Sequence, residues 1–302
     1  MQLIEHEKKL VDHLLLKLQI NNIISYEKIS HRDSLSSSVI QLTNQEDTKY
    51  ILKLPFTDIR WKREVFFLKK LKNDNFPVPN IFDVVEPTEE HNGAILMEFL
   101  PGNIIRPEEL TNTLSFDMGK LLGLLHSLPA SSYRDIASED TTLSGIDLIK
   151  DYFSRSYEEC EKLLPKDLLL KALKYFEEKI SNVQKLDGPH IVHRDYRPGN
   201  VMVKNQAIIS VIDFENTLFS YAEEDFSQME HLVWAQYPQT KSSFYSGYKS
   251  IRELPELDAI MPLLRLNRAL GGVGFTIERN THLGAHKHVF DENMEYLQKI
   301  LS

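Results

Sequence analysis

Residues 193–200 read His-Arg-Asp-Tyr-Arg-Pro-Gly-Asn, and a short apolar run, Val211-Ile212, follows and ends in Asp213-Phe214-Glu215. An aspartate, an asparagine five positions on and a second aspartate after a strand are the groups that phosphoryl transfer from a nucleotide requires. Asp195 is the candidate base that meets an incoming hydroxyl, and Asn200 and Asp213 are candidate ligands of Mg²⁺, which prefers hard oxygen donors. Each residue alone is common in turns. Their order, H-x-D-x-x-x-x-N and then an apolar strand and Asp-Phe, is the specific signal.

Lys53 is the next element. It sits in Tyr50-Ile51-Leu52-Lys53-Leu54, a strand pattern, where a lysine can reach the α- and β-phosphates of ATP or GTP. Glu64, on the following helix, is placed to hold it. Read singly, these are a surface lysine and a surface glutamate; the later motif raises the functional reading. Residues 30–40 contain no glycine, although close backbone approach to phosphate favours it. Serines fill the place, and Ser36 and Ser37 are the candidates for phosphate contact, against an ordinary polar turn. Ile95-Leu96-Met97-Glu98-Phe99-Leu100-Pro101-Gly102 reads as a hinge, with adenine meeting the backbone near Glu98 and Leu100.

The elements that must carry these groups follow from periodicity. Leu10, Val11, Leu14, Leu15 and Leu18 recur at helical spacing, predicting a helix over 3–19. Strands are predicted at Ile23–Ile29, Ser38–Leu42, Lys49–Leu54, Ile81–Val85 and Ala94–Phe99, with a helix over Trp61–Leu71 among them. Helices dominate afterwards, at Leu114–Leu128, Ile146–Leu164 and Leu168–Val183. Val201–Val203 and Ile208–Ile212 predict a hairpin bringing Asn200 beside Asp213. The expected class is α+β: a small antiparallel-sheet N-lobe over residues 1–100 that binds nucleotide, and a larger helical C-lobe over 101–302 with the catalytic loop and the acceptor site. The ligand is expected in a cleft between the two.

The bulk numbers narrow the partners. The chain has 302 residues and a net charge of −9, with 13 Lys/Arg against 15 Asp/Glu up to residue 100 and 22 against 29 beyond it. That distribution argues against a nucleic-acid partner. No apolar stretch is long enough to span a bilayer, and the N-terminus lacks the layout of a secretory signal. The lone Cys160 rules out a disulfide framework within the chain and suits the cytoplasm. It is read as a partly buried helix residue. Nothing in the sequence speaks to oligomeric state.

Taken together, Ser34–Ser38, Lys53, Glu64, Glu98–Gly102, the segment 121–129, the 193–200 motif, Asp213 and the stretch Tyr221-Ala222-Glu223-Glu224-Asp225 resemble the aminoglycoside phosphotransferase family over about residues 20–250. The resemblance implies a protein-kinase-like two-lobed fold and a small-molecule kinase. It implies that Asp225 supports the loop rather than taking part in chemistry. Arg197 stands where family members often carry His; it is expected either as a charge near the transferring phosphate or as a salt bridge by the loop. Glu215 stands where protein kinases have Gly. An aminoglycoside-like antibiotic is one acceptor the resemblance suggests; choline, ethanolamine, homoserine and sugar-type metabolites stay open. A protein kinase is disfavoured by the short stretch from Asp213 to Asp225. A non-catalytic nucleotide-binding module is disfavoured because base, metal ligands and lysine are all present. Glu223, Glu224 and Glu230 are candidates for a cationic acceptor.

Two further patterns are discounted. Gly271-Gly272-Val273-Gly274 is read as a helix end or a close packing point, not a phosphate loop. His282, His286 and His288 lack the partners that complete a metal site.

Overall fold

The computed structural model describes residues 3, 5–29, 37–138, 144–183 and 185–302. By compactness the chain forms two units. The first is Met1–Glu109 with Ile136–Glu139 and Pro198–Thr217; the second is Leu110–Asp135, Asp140–Arg197 and Leu218–Ser302.

In the first unit, helix α1 (Glu5–Lys17) precedes a five-stranded antiparallel sheet made of β1 (Ile23–Ile29), β2 (Ser38–Asn44), β3 (Lys49–Leu54), β4 (Ile81–Val85) and β5 (Ala94–Glu98). The strand order is β1-β2-β3-β5-β4. The 3.6-residue period of Val11, Leu14, Leu15 and Leu18 puts all four on the buried face of the α1 segment, against Ile40, Leu42, Leu52 and Leu96 of the sheet. Each such side chain contributes roughly 1.5–3 kcal/mol by leaving water, enough to hold a helix of this length that propensity alone would not. Helix α2 (Asp58–Asn73) follows β3 and begins at Thr57, whose hydroxyl accepts from Arg60 N–H. In register, Lys53 pairs with Val39 on one side and Ile95 on the other, placing it on a central strand.

The same unit contains a second, three-stranded sheet of β6 (Asn103–Ile104), β8 (Val201–Lys204) and β9 (Ala207–Val211), in the order β6-β8-β9. Here the compact units depart from a single cut after residue 100. Val211 N–H and Ser210 Oγ both donate to the Pro77 carbonyl, and Ile105 N–H donates to Val201 O. These bonds join Pro198–Thr217 to the N-terminal sheet unit, although the largely helical stretch 110–197 intervenes. Sequence order hides that pairing because β6 has only two residues.

The second unit is helical. Its helices are α3 (Asn112–Ser127), α4 (Gly145–Glu161), α5 (Lys166–Ile180), α6 (Glu223–Met229), α7 (Lys241–Lys249), α8 (Met261–Glu278) and α9 (Lys287–Ile300), with β7 (His190–Val192) paired antiparallel to β10 (Leu218–Ser220). A π-helical turn, Glu230–Trp234, continues α6. Its core joins Ile149, Phe153 and Cys160 of α4, Leu169 and Phe176 of α5, and Leu266, Leu270 and Val273 of α8. Cys160 is fully buried, and burial pushes its thiol up to about 12, which makes it inert. The glycines at 271, 272 and 274 do not end a helix. They lie inside α8, where Tyr152, Asn293 and Glu159 fill the space a Cβ would take. Among the described residues no helix is long and apolar enough to cross a membrane.

Candidate active site

In the sheet unit, the alternation of β3 turns Lys53 inward, with its residue only 4% exposed. Its Nζ lies 3.0 Å from Glu64 Oε2, 2.6 Å from Asp213 Oδ1 and 3.2 Å from Glu215 Oε2. Glu64 is buried on α2, one turn after Arg60, and Arg60 Nη1 reaches the other Glu215 oxygen. Ser37 Oγ also donates to Glu215. Three carboxylates therefore converge on one ammonium, and Arg60 and Ser37 restrain the carboxylate that protein kinases lack. Burial alone would lower the pKa of Lys53, but Asp213, Glu215 and Glu64 outweigh it and raise it well above its ordinary value. For Glu64 burial dominates over the attraction of Lys53 and pushes the carboxyl up to about 7.

Asn200 and Asp213 are set at one end of the β8–β9 hairpin. Val201 pairs with Val211, and Ile212 N–H donates to the Asn200 carbonyl at 3.0 Å. Asp213 has φ 70°, in the left-handed region that aspartate tolerates better than most residues. Such backbone strain gathers at ligand sites. The donor set, one buried amide and one partly exposed carboxylate on neighbouring strand ends, fits Mg²⁺. Among the described residues the one three-membered group of potential metal ligands is Glu64, Asp213 and Glu215; the Lys53 ammonium already lies among its oxygens.

In the helical unit, β7 leads into His193–Arg197. Arg194 has φ 66°, which costs about 1–3 kcal/mol for a side chain of its kind. Asp225, fully buried at the start of α6, offsets that cost by accepting from His193 N–H at 2.9 Å and Arg194 N–H at 2.6 Å. Hydrogen bonds to a charged group contribute about 1.5–3 kcal/mol each. Burial would raise the Asp225 pKa, but His126 and His193 prevail and hold it below the usual carboxylate value. His126 Nε2 lies 3.1 Å from Asp225 and its Nδ1 2.9 Å from Tyr248 Oη. A carboxylate only accepts, so Nε2 carries the proton and Nδ1 accepts from the tyrosine. Asp225 thus supports the loop, as the resemblance implies.

Asp195 follows Arg194. Its Oδ1 accepts from Gln228 Nε2 on α6 and lies 3.2 Å from Arg197 Nε. Arg197 is therefore in an ion pair with the candidate base. Arg194 itself binds Glu224 at 2.7 Å, and Arg268 on α8 donates to the Arg194 carbonyl.

The remaining expectations fall as follows. Ser36 lies outside the described residues. Glu98 N–H donates to Asn80 O, and its carboxylate accepts from Asn80 N–H and Nδ2. The Leu100 carbonyl accepts from Gly102 N–H. Glu223 and Glu224 are buried; Glu223 Oε1 accepts from Asp187 N–H, and Glu224 pairs with Arg194. Glu230 pairs with Lys241. Sequence reasoning missed Gln228 and Arg60, whose types give no signal until the fold puts them beside a named carboxylate.

A sheet unit with a buried lysine–glutamate pair and a helical unit with an H-x-D loop define the protein-kinase-like class of phosphotransferases. The model of the phosphotransferase enzyme family, APH, matches residues 29–254, and the chain belongs to that family. No curated protein sequence gives a significant match. Solved structures share the fold at low identity. The aminoglycoside phosphotransferase APH(4)-Ia superposes with a TM-score of 0.69 at 13% identity, over 97% of this chain and 98% of that one. The GDP and kanamycin complex of APH(2")-IIia gives 0.72 at 14%, over 96% and 97%. An ethanolamine kinase of Plasmodium vivax gives 0.68 at 17%, over 99% and 89%.

Proposed function

We propose that the chain is a Mg²⁺-dependent phosphotransferase that moves the γ-phosphoryl group of ATP or GTP to a hydroxyl of a small molecule. The observation that carries this reading is Lys53, held at 3.0 Å by Glu64 and at 2.6 Å by Asp213, in a chain that also carries the complete 193–200 motif. A lysine so anchored presents its charge to the α- and β-phosphates. Residues 1–100 are assigned to nucleotide, with adenine or guanine against the backbone near Glu98 and Leu100 and phosphate against Ser36 and Ser37. Residues 101–302 are assigned the base and the acceptor.

Asn200 and Asp213 would hold Mg²⁺, which when bound neutralises charge on the phosphate oxygens. Asp195 orients the acceptor hydroxyl and takes its proton as the new P–O bond forms and the bond from the γ-phosphorus to the leaving nucleoside diphosphate breaks. Gln228 fixes the rotamer of Asp195. Arg197 places a cation by the transferring group, offsetting charge that builds on its oxygens. Solved relatives of this fold are bound to ADP with hygromycin B and to GDP with kanamycin, which supports a nucleotide donor of either base. An enzyme drawing on these nucleotides would work in the cytoplasm.

Nucleotide consumption with and without Mg²⁺, against aminoglycosides, amino alcohols, hydroxy-amino acids and sugars, tests the proposal. Metal-dependent release of nucleoside diphosphate that rises with one acceptor is expected. Nucleotide binding with no turnover on any acceptor would place the chain with non-catalytic nucleotide-binding modules.

A further inference from the structure

A second charged network lies behind the catalytic loop, within the helical unit. Arg252 follows α7, and its N–H donates to Tyr248 O at 3.1 Å. Its Nη2 reaches both oxygens of Asp187, at 2.9 and 2.7 Å. Its Nη1 donates to the carbonyl of His126, on the last turn of α3, at 3.1 Å, and lies 3.1 Å from His190 Nε2. His190 Nε2 is also 2.8 Å from Asp187 Oδ1. The His190 ring stacks on that of His126, with centroids 5.9 Å apart and planes at 21°.

Asp187 stands where the two supports of the loop meet. At the start of α6, Ala222 N–H donates to its carbonyl at 2.8 Å, and its own N–H donates to Glu223 Oε1 at 3.0 Å. From Asp187 the chain runs through β7 to His193 and Arg194, whose N–H groups bind Asp225 on the same first turn of α6. Residues 187–194 and 222–225 are therefore tied at both ends and form one closed ring.

That ring and the residue after Asp195 are both fastened to α3. Tyr196 Oη donates to Met118 O at 2.7 Å, and His126 Nε2 lies 3.1 Å from Asp225. Arg252 closes the remaining side, because it holds Asp187 of the ring and the His126 carbonyl together. The ion pair alone is a modest source of stability: its side chains keep 20% and 30% exposure, and solvent screens such pairs. Its geometry is the informative part. A guanidinium is planar and presents its N–H donors at fixed angles, so it sets the carboxylate and the carbonyl in one relative position. A lysine is a point charge and cannot.

Resting on the phosphotransferase reading, we propose that Arg252, acting through Asp187, is a positioning residue of the transfer step. It seats the ring against α3, and the ring carries His193 and Arg194 into Asp195. The angle at which Asp195 meets the acceptor hydroxyl is thereby set from behind the loop, by a residue that touches neither nucleotide nor acceptor. Small displacements of a positioned base are costly to the rate.

The test is steady-state turnover by Arg252→Gln, Arg252→Lys and Asp187→Asn beside the parent, on the acceptor that best supports it and below the melting temperature of every variant. Arg252→Gln should lower kcat at least about tenfold and leave the nucleotide KM within about threefold. Asp187→Asn should move kcat in the same direction. Arg252→Lys, which keeps the charge and loses the planar donors, should fall between parent and Arg252→Gln. Arg252→Gln combined with Asp225→Asn should lose less than the product of the two single losses, because both act on one loop. An ion pair that only stabilises the fold would lower the melting temperature and leave kcat alone. Parental kcat in both Arg252→Gln and Asp187→Asn, a loss confined to the nucleotide KM, or losses that multiply in the double variant overturn the assignment and leave the phosphotransferase reading intact. Should Arg252→Gln fail to fold, Arg252→Lys and Asp187→Asn carry the same comparison. Should no acceptor support turnover, the phosphotransferase reading fails instead, and amide hydrogen exchange decides the role of Arg252. Faster exchange over residues 193–197 in the variants, with that of α8 unchanged, supports the clamp, and parental protection there overturns it.

Discussion

Glu215 and Arg60 form an ion pair that joins the segment after β9 to helix α2, with Arg60 Nη1 2.5 Å from Glu215 Oε1. The other Glu215 oxygen lies 3.2 Å from Lys53. The cluster thus has two links from α2 to the segment bearing Asp213: Glu64 through Lys53, and Arg60 through Glu215. When Glu215 is neutralised Lys53 keeps Glu64 and Asp213, whereas Arg60, 21% exposed, loses this carboxylate. Glu215→Gln should therefore reduce stability by about 1.5–3 kcal/mol, the contribution of hydrogen bonds to a charged group, and raise the nucleotide KM, because Lys53 and Asp213 lose one restraint. Urea denaturation and nucleotide titration check both. A variant with unchanged stability and KM contradicts the two-link arrangement.

The helical unit offers a test of packing. A Cβ on Gly247 would lie 1.9 Å from Phe116 O, and one on Gly119 2.0 Å from Phe244 O, so α3 and α7 touch backbone to backbone at reciprocal glycines. Neither carbonyl can rotate away without breaking its helix. Gly247→Ala should cost about 1–3 kcal/mol through overpacking, against a gain in helix propensity of about 1 kcal/mol. The melting temperature is expected to fall. A variant as stable as the parent contradicts the close crossing.

His231 provides a pH test. Burial first, and then Arg265 and Arg268, lower its pKa to about 4, with Asn293 opposing. An unfolded histidine titrates near about 6.5. The unfolded chain therefore binds a proton that the folded one refuses. The contribution of His231 to stability is complete above about pH 6.5 and is lost as pH falls toward 4. His231→Gln removes that titration. Between pH 7 and 4 the parent should lose up to about 3 kcal/mol more than the variant in urea denaturation. Parallel losses contradict the burial of a neutral imidazole.

Asp225 links loop geometry to turnover. It caps two N–H groups of a strained loop and holds His126. Asp225→Asn keeps the size but loses the charge and one acceptor. Turnover should fall at least about tenfold with nucleotide affinity unchanged, because the affected loop carries Asp195. Unchanged kcat contradicts the supporting role.

Much of this was legible in the sequence because its signals are local. Periodicity placed α1 and the sheet strands within a few residues, and motif spacing named Lys53, Glu64 and Asp213, which the fold brings together. What was not legible depends on contacts between distant segments. Gln228 carries no mark of its own until α6 lies against Asp195, 33 residues earlier. Arg60 is one of several basic residues on α2 until Glu215 reaches it, and a two-residue strand, β6, gave no periodicity from which to expect its pairing with β8. The glycine run at 271–274 was misread in part because a close helix contact and a helix end share the same residue type.

The most direct measurement is turnover by Asp195→Asn beside its nucleotide affinity, on the acceptor that best supports the parent. The account predicts a fall in kcat of about 10²–10⁴-fold, the contribution of a positioned general base. Nucleotide affinity should stay within about threefold, since a change of that size is well under 1 kcal/mol. Turnover close to the parent's, with nucleotide bound equally well, would contradict the assignment of Asp195 as the group that receives the acceptor's proton.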